Sequence, residues 1–134
     1  MLRLVLDSNV IISAFYWEGN ERTLLRECRS GEYQLVTSTF ILEEVVRVLK
    51  EKFDEDKYLV RSFIREIFKF SELVIAQGRL NVITEDPSDN KVLETALMGK
   101  ADYLITGDKH LLKIGEYNEI LIMRSLDFIN LISV

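Results

Sequence analysis

Residues 3–13, RLVLDSNVIIS, decide the fold, because an apolar strand pattern runs here directly into three polar side chains. Residues 4–6 form a continuous apolar run, which is typical of a strand buried on both faces of a parallel sheet. Asp7, Ser8 and Asn9 follow at once. Because open α/β sheets bind their ligands beyond the carboxyl ends of their strands, the stretch indicates a central strand that ends at a polar site.

The bulk composition favours one compact domain over residues 1–134, since 48% of the residues are hydrophobic. The single cysteine, Cys28, excludes an internal disulfide and is typical of a reducing cytoplasm. No apolar run reaches the roughly 18 residues that a membrane span requires, so we expect a soluble, cytoplasmic protein. The net charge of −5 argues only weakly against a nucleic-acid partner, because acidic residues that bind divalent cations would remove the objection.

Strand-like apolar runs alternate with helical patterns along the chain. The strand patterns are strongest at 4–6, 34–37, 103–106 and 120–123, and weaker at 73–75 and 82–83. The helical patterns lie near 21–30, 39–53, 56–70, 88–99 and 125–132. Strands separated by helices predict βαβ units. We therefore expect a three-layer α/β/α fold with a central, mainly parallel sheet.

Four segments place an acidic residue at the same expected edge of this sheet. Asp7 follows the first strand, and Glu44 lies in TSTFILEE after the second. Asp89 lies in NVITEDPSDN, and Asp108 follows YLIT across one glycine. Helix capping explains either Asp7 or Asp108 taken singly. Four like charges brought together, however, repel one another unless cations bind between them, and oxygen ligands without a His/Cys set favour Mg²⁺ or Mn²⁺ over zinc.

Helical phase separates acids that face the protein from those that face solvent. In the helix after the second strand, Glu44 borders the apolar arc, whereas Glu43 falls on the opposite side. Asp89 lies in line with the apolar stripe of its predicted helix, where a solvated acid has no need to be. Asp86 is predicted to cap that helix. A first-turn acid that faces the helix dipole is the alternative interpretation of Asp89.

Four motifs occur in order over nearly the whole chain: LDSNVIISA, ILEEVVRVL, DPSDNKVLETAL and ADYLITGDKHLL. Together they resemble the motifs of the PIN-domain ribonuclease family, which includes the toxins of VapBC-type toxin–antitoxin pairs. The resemblance implies a parallel sheet flanked by helices. It maps the family's acidic positions to a set that we call the acidic quartet: Asp7, Glu44, Asp89 and Asp108. The one notable departure is Ser8, where threonine is commoner, and serine keeps the hydroxyl.

The resemblance implies a divalent-metal-dependent endoribonuclease in which the acidic quartet holds one or two Mg²⁺ or Mn²⁺ ions. Such ions activate a water for in-line attack on a phosphodiester and stabilise the leaving oxygen. Single-stranded or looped RNA is the expected substrate, because a shallow site needs an accessible backbone. The side chains expected to orient the carboxylates are Ser8, Asn9, Asp86 and Thr106.

Two protein partners are expected. A small antitoxin protein follows from the resemblance. A homodimer is predicted because the helices near 10–30 and 39–70 carry more large apolar side chains than one small sheet needs for cover. These side chains are Phe15, Tyr16, Trp17, Phe63, Phe68 and Phe70. Completion of the core by the same aromatics is the alternative.

The candidates for phosphate contact are basic residues on one helix stripe or beside the acids, with ordinary solvated surface charge as the alternative for each: Arg61, Arg65 and Lys69, or Lys91 and Lys109. Two other functions stay open. A phosphatase of the haloacid dehalogenase type would use a strand-end aspartate as nucleophile, but it needs a second aspartate where Asn9 stands. A catalytically silent PIN-fold binding module is the other alternative, and the intact acidic quartet argues against it.

Overall fold

Six strands and seven helices make up the part of the chain that this computed structural model describes, residues 1–83 and 86–133. The strands are β1 (Arg3–Leu6), β2 (Gln34–Ser38), β3 (Ser71–Val74), β4 (Tyr103–Ile105), β5 (Glu116–Tyr117) and β6 (Ile120–Met123). The helices are α1 (Ser8–Tyr16), α2 (Asn20–Arg29), α3 (Thr39–Glu51), α4 (Lys57–Phe70), α5 (Pro87–Met98), α6 (Lys109–Ile114) and α7 (Ser125–Ile132). Within these two stretches, no helix is both long and apolar enough to cross a membrane.

The strands form one sheet in the order β3-β2-β1-β4-β6-β5. Neighbouring strands run parallel, except that β5 is antiparallel to β6. β1 lies inside the sheet between β2 and β4, and Leu4, Val5 and Leu6 are fully buried. The continuous apolar run of β1 is explained by this position, because both of its faces are covered. The prediction of an α/β fold with a central, mainly parallel sheet flanked by helices is confirmed.

Helix α1 follows β1 directly and is not predicted as a separate helix by the sequence patterns. Val10, Ile11, Ile12 and Ala14 are all buried, so the helix is apolar around most of its circumference. A helix of that kind shows no clear apolar stripe against a polar face, and its periodicity is therefore hard to recognise. Its position matters for the site, because the residue that links β1 to α1 is Asp7.

Residues 82–83 are not a strand, contrary to the weaker strand prediction. The side-chain Oδ1 of Asn90 accepts hydrogen bonds from the backbone N–H groups of Val82 and Ile83 at 2.9 and 2.8 Å, and its Nδ2 donates to the Ile83 carbonyl at 2.7 Å. The side-chain amide of Asn90 thus satisfies the backbone groups of Val82 and Ile83 that a neighbouring strand would otherwise pair with. Glu85, an acid in the same stretch, lies outside the described residues.

Helix α5 anchors the segment that follows β3 through a buried carboxylate, that of Glu94. This carboxylate accepts hydrogen bonds from four successive backbone N–H groups, those of Gln77, Gly78, Arg79 and Leu80. Burial alone would raise the pKa of Glu94, but the four bonds lower it below its ordinary value. Asn90 and Glu94 hold this segment, whereas Asp89 lies on a different face of the helix.

Candidate active site

A cleft of about 230 Å³ opens beyond the carboxyl ends of β1 and β4, and every member of the acidic quartet lines it. Asp7 follows β1 directly, and Asp108 lies just before α6. Glu44 reaches the cleft from α3, and Asp89 reaches it from α5. The other lining residues are Ser8, Asn9, Ile12, Val48, Lys52, Asp86 and Ser88. Four elements distant in sequence therefore bring their carboxylates to one place, which we call the acidic cleft.

Asp7 is only 5% exposed, and both of its carboxylate oxygens accept hydrogen bonds. Oδ1 accepts from the backbone N–H of Ser8 at 2.8 Å, and Oδ2 accepts from the Thr106 hydroxyl at 2.7 Å. The Thr106 hydroxyl in turn accepts from the backbone N–H of Asp108 at 3.0 Å. Burial, with the charges of Glu44 and Asp108, raises the pKa of Asp7 to about 6, although its two hydrogen bonds act in the opposite direction.

Glu44 is half-buried, and its Oε1 accepts a hydrogen bond from the Ser8 hydroxyl at 2.9 Å. Glu43 is exposed, as its predicted helical phase requires. Ser8 therefore links two members of the quartet, because its backbone N–H donates to Asp7 while its hydroxyl donates to Glu44. Asn9, which was expected to orient a carboxylate, has an exposed side chain at the rim and makes no hydrogen bond to a carboxylate within the described ranges.

Asp89 is 6% exposed, and its Oδ2 is buried without a hydrogen-bond partner in the described part of the chain. Burial is the main cause that raises the pKa of Asp89 to about 8. The nearby carboxyl of Asp108 and the negative charges of Asp86 and Asp7 add to the shift. A buried polar atom without a partner is costly, so this oxygen marks the place in the cleft where a cation would be most stabilising.

Asp7, Asp86 and Asp108 each cap a helix, as was predicted for Asp86 and as the alternative interpretation of Asp7 and Asp108 allows. Oδ1 of Asp86 accepts from the backbone N–H and the hydroxyl of Ser88, at 3.1 and 2.6 Å. Oδ2 of Asp108 accepts from the backbone N–H groups of His110 and Leu111, at 2.9 and 3.0 Å. Each cap uses one oxygen of the carboxylate. Capping and participation in the acidic cleft are therefore compatible.

The lining of the acidic cleft fits a hard divalent cation in its chemistry, because it offers several carboxylate oxygens and neither His nor Cys. Burial is the main cause of the raised pKa values of Asp7 and Asp89, and neighbouring carboxylates add to it, so the ionised forms of both side chains are disfavoured without a cation. Within residues 1–83 and 86–133, however, no three acidic, His or Cys side chains form a ready-made metal site. A bound cation would therefore have to draw these carboxylates closer together.

The stability of the metal-free protein is expected to fall as the pH rises from about 4 to about 8. The ordinary aspartate pKa of 3.8 is raised to about 6 for Asp7 and about 8 for Asp89 in the folded state, so the folded chain binds protons more tightly than the unfolded chain. The stabilisation that these bound protons provide is complete below pH 3.8. It is lost as the pH rises past about 6 for Asp7 and about 8 for Asp89. Urea unfolding in EDTA at pH 5 and pH 8 measures the loss. Asp89→Asn should make the difference between the two pH values smaller; an equal difference would show that Asp89 is not its source.

The basic residues expected to contact phosphate do not line the acidic cleft. Lys69 forms an ion pair with Glu66 at 2.6 Å, and the Lys91 ammonium lies 4.9 Å from the centroid of the Phe40 ring. Arg61 lines a separate groove between α3 and α4, together with Lys50 and Lys57.

The cation that does line the acidic cleft, Lys52, was missed by the sequence analysis. The signal was nonetheless present, because Lys52 follows Glu44 and Val48 at intervals of four residues and therefore continues the same face of α3. Ser88, which donates to Asp86, was missed as well.

Comparisons with known proteins bear on the fold and the family of the chain. The family described as PIN domain matches residues 3–110. Among solved structures, the crystal structure of VapBC2 from Rickettsia felis bound to a DNA fragment from their promoter contains a similar chain. The two chains are 14% identical, with a TM-score of 0.60 over 90% of this chain and 97% of that chain, which shows a shared fold. No curated protein matches the sequence. Since the family match spans most of the chain, the protein belongs to the PIN-domain family.

Proposed function

We propose that the protein is a divalent-metal-dependent endoribonuclease whose single catalytic domain spans residues 1–134. PIN domains are generally nucleases, which argues against the phosphatase alternative. The observation that carries the proposal is the meeting of four carboxylates in one cleft, where the buried Oδ2 of Asp89 has no donor within the described residues.

The chain's own residues prepare the acidic cleft for phosphodiester hydrolysis. When bound to the acidic quartet, Mg²⁺ or Mn²⁺ supplies an activated water and stabilises the charge that develops at phosphorus and on the leaving oxygen. Thr106 fixes Asp7, and Ser8 fixes both Asp7 and Glu44, so two of the four carboxylates are held by hydroxyl groups. Lys52 is placed at the wall of the cleft, where its ammonium can bind a non-bridging phosphate oxygen.

Single-stranded or looped RNA is the substrate that suits this site. The acidic cleft is small and lies at the edge of the sheet, so the phosphate must reach it on a backbone that is not enclosed in a duplex. Cleavage of a labelled single-stranded RNA in Mg²⁺, Mn²⁺ and EDTA tests the proposal, with single-stranded DNA of the same sequence as the comparison. Metal-dependent cleavage of the RNA is expected. Protein that binds metal but cuts no RNA would instead support the silent binding module.

Glu44 and the neighbouring Glu43 form a matched pair for this assay. Glu44→Gln is expected to lower the rate of RNA cleavage at least tenfold, because the removal even of a side chain that only supports a metal ligand costs about 10–100-fold. Glu43→Gln removes the same charge one position away on the exposed side of α3 and should leave the rate nearly unchanged. The reverse ranking would show that α3 presents the other glutamate to the substrate.

We further infer that the protein is a cytoplasmic toxin neutralised by a small antitoxin. Its fold resembles that of a chain in the VapBC2 complex. A groove of about 290 Å³ between α2 and α4 offers a docking surface, with an apolar floor that includes Leu25, Phe63 and Ile67. Arg26 and Arg29 line the same groove, so it suits an antitoxin segment that carries both apolar and acidic side chains.

A homodimer is the second part of the partner proposal. Phe15, Tyr16, Phe63 and Phe70 pack against the core, which accounts for most of the aromatic surplus in the sequence. Trp17 and Phe68 remain 58% and 48% exposed, and they support an interface built on the end of α1 and the outer face of α4. Sedimentation at micromolar concentrations is expected to give a dimer, with a change in Trp17 fluorescence on dilution. A monomer at every concentration would exclude this interface.

A further inference from the structure

A second cleft, of about 300 Å³, lies beside the acidic cleft and is lined in part by Asn9, Ser13, Asn20, Arg124 and Leu126. We call it the Arg124 cleft. Asn9 lines both clefts, so the two are neighbours across a single side chain. Thr106 also lines the Arg124 cleft, while its hydroxyl donates to Asp7 on the acidic side. A bound strand of RNA that crosses Asn9 would therefore pass directly from one cleft into the other.

The side chains of the Arg124 cleft combine three kinds of contact that a nucleotide requires. Arg124 is exposed, and its guanidinium makes no hydrogen bond or ion pair within residues 1–83 and 86–133, so it is available to a phosphate. The amides of Asn9 and Asn20 offer donors and acceptors of the kind that recognise base edges. Leu126, which is 53% exposed, offers an apolar surface for a base.

One acidic residue, Glu21, also lines this cleft, and its negative charge has to be weighed against phosphate binding. The carboxylate of Glu21 accepts a hydrogen bond from the Ser125 hydroxyl, so it already has a partner within the protein. Arg124 occupies the N-cap position of α7, where its side chain, which has only hydrogen-bond donors, makes no capping bond. Its guanidinium therefore has no assigned structural role in the described part of the chain.

We propose that the Arg124 cleft binds the nucleotide next to the bond that is cleaved, with Arg124 in contact with its phosphate. This inference rests on the proposed ribonuclease function and names the side chain that positions the RNA. The protein needs such a contact, because its net charge is −5 and Lys52 is the one basic residue among those lining the acidic cleft.

The groove that contains Lys50, Lys57 and Arg61 is the alternative path for the RNA. It carries three basic side chains, but it shares no lining residue with the acidic cleft. The Arg124 cleft has one basic side chain, but it adjoins the acidic cleft at Asn9. Because a nucleotide next to the scissile bond must lie next to the metal ligands, adjacency favours the Arg124 cleft.

Binding of a fluorescein-labelled single-stranded RNA of 12 nucleotides distinguishes the two paths. Fluorescence anisotropy is measured over a KCl series with Arg124→Ala and with Arg61→Ala, each made in an Asp89→Asn background to prevent cleavage. We expect Arg124→Ala to weaken binding about tenfold, as the loss of a charged hydrogen bond does. The slope of log K against log salt should also decrease by about 0.7, the value for one phosphate contact on a single strand.

Arg61→Ala removes the same charge and should change neither the affinity nor the slope. In the chain with an intact Asp89, Arg124→Ala should raise KM with little effect on kcat. Equal weakening by both variants, or weakening by Arg61→Ala alone, would overturn the inference while the nuclease proposal stands. If the unsubstituted protein neither binds nor cuts RNA, the proposed function fails, and the inference that rests on it fails too.

Discussion

Asp7→Asn is expected to reduce metal-dependent RNA cleavage about 100-fold or more. Metal ions contribute several kcal/mol to the stabilisation of a phosphodiester transition state, and each 1.36 kcal/mol corresponds to a tenfold change in rate. Asp7 is the member of the quartet with the most complete support, since Ser8 and Thr106 hold both of its oxygens. Asparagine has nearly the same shape but removes the charge that a cation needs. The cleavage rate under single-turnover conditions measures the effect.

Asp102→Asn is the matched control for Asp7→Asn. Asp102 precedes β4 and accepts a hydrogen bond from the backbone N–H of Arg3 at 2.8 Å, so it lies at the opposite edge of the sheet from the acidic cleft. Its replacement should leave the cleavage rate within about twofold of the original, because it is remote from the substrate. If Asp7→Asn behaved like this control, Asp7 would not belong to the catalytic machinery.

Millimolar Mn²⁺ or Mg²⁺ is expected to raise the melting temperature, and Asp89→Asn should remove most of the increase. A ligand at 100 times its Kd stabilises the folded state by about 2.7 kcal/mol, which corresponds to a shift on the order of 10 °C for a domain of this size. Asp89 is central to the effect because its buried Oδ2 has no hydrogen-bond partner within the described residues.

Without metal, Asp89→Asn is expected to have the opposite effect on stability. This contrast would show that Asp89 stabilises the protein only through the bound cation. In EDTA near pH 7, Asp89→Asn should stabilise the protein, because it removes a carboxyl whose ionised form is disfavoured by burial and by Asp108. Differential scanning fluorimetry with and without Mn²⁺ measures the melting temperature in both conditions. An unchanged metal-induced shift in Asp89→Asn would remove Asp89 from the metal site.

The sequence predicts the sheet well because its signals are local. The fully buried residues of β1 form an unbroken apolar run, and the helical phase of α3 places Glu43 and Glu44 on their observed sides. The same argument from phase predicts that Asp89 faces inward, where the structure has it 6% exposed. Each of these predictions needs only the period of one element and the polarity of its neighbours.

The features that escape prediction depend on contacts between distant segments. Nothing in the residues around Val82 and Ile83 shows that Asn90 will take their hydrogen bonds and prevent a strand. The role of Glu94 is equally hidden, because a glutamate with four backbone donors looks in sequence like any helical glutamate. Lys52 differs from these two, because its spacing from Glu44 and Val48 already indicated the face of α3 that lines the acidic cleft.

The central claim is that the acidic quartet converges on a divalent cation, and the most direct measurement is anomalous scattering from crystals grown with Mn²⁺. We predict a manganese peak in the acidic cleft between Asp7, Asp89 and Asp108, with the carboxylates moved inward from the positions described here. The peak should disappear in Asp89→Asn crystals grown in the same way. A protein that cleaves RNA in Mn²⁺ but shows no manganese in this cleft, or shows it only elsewhere, would contradict the claim.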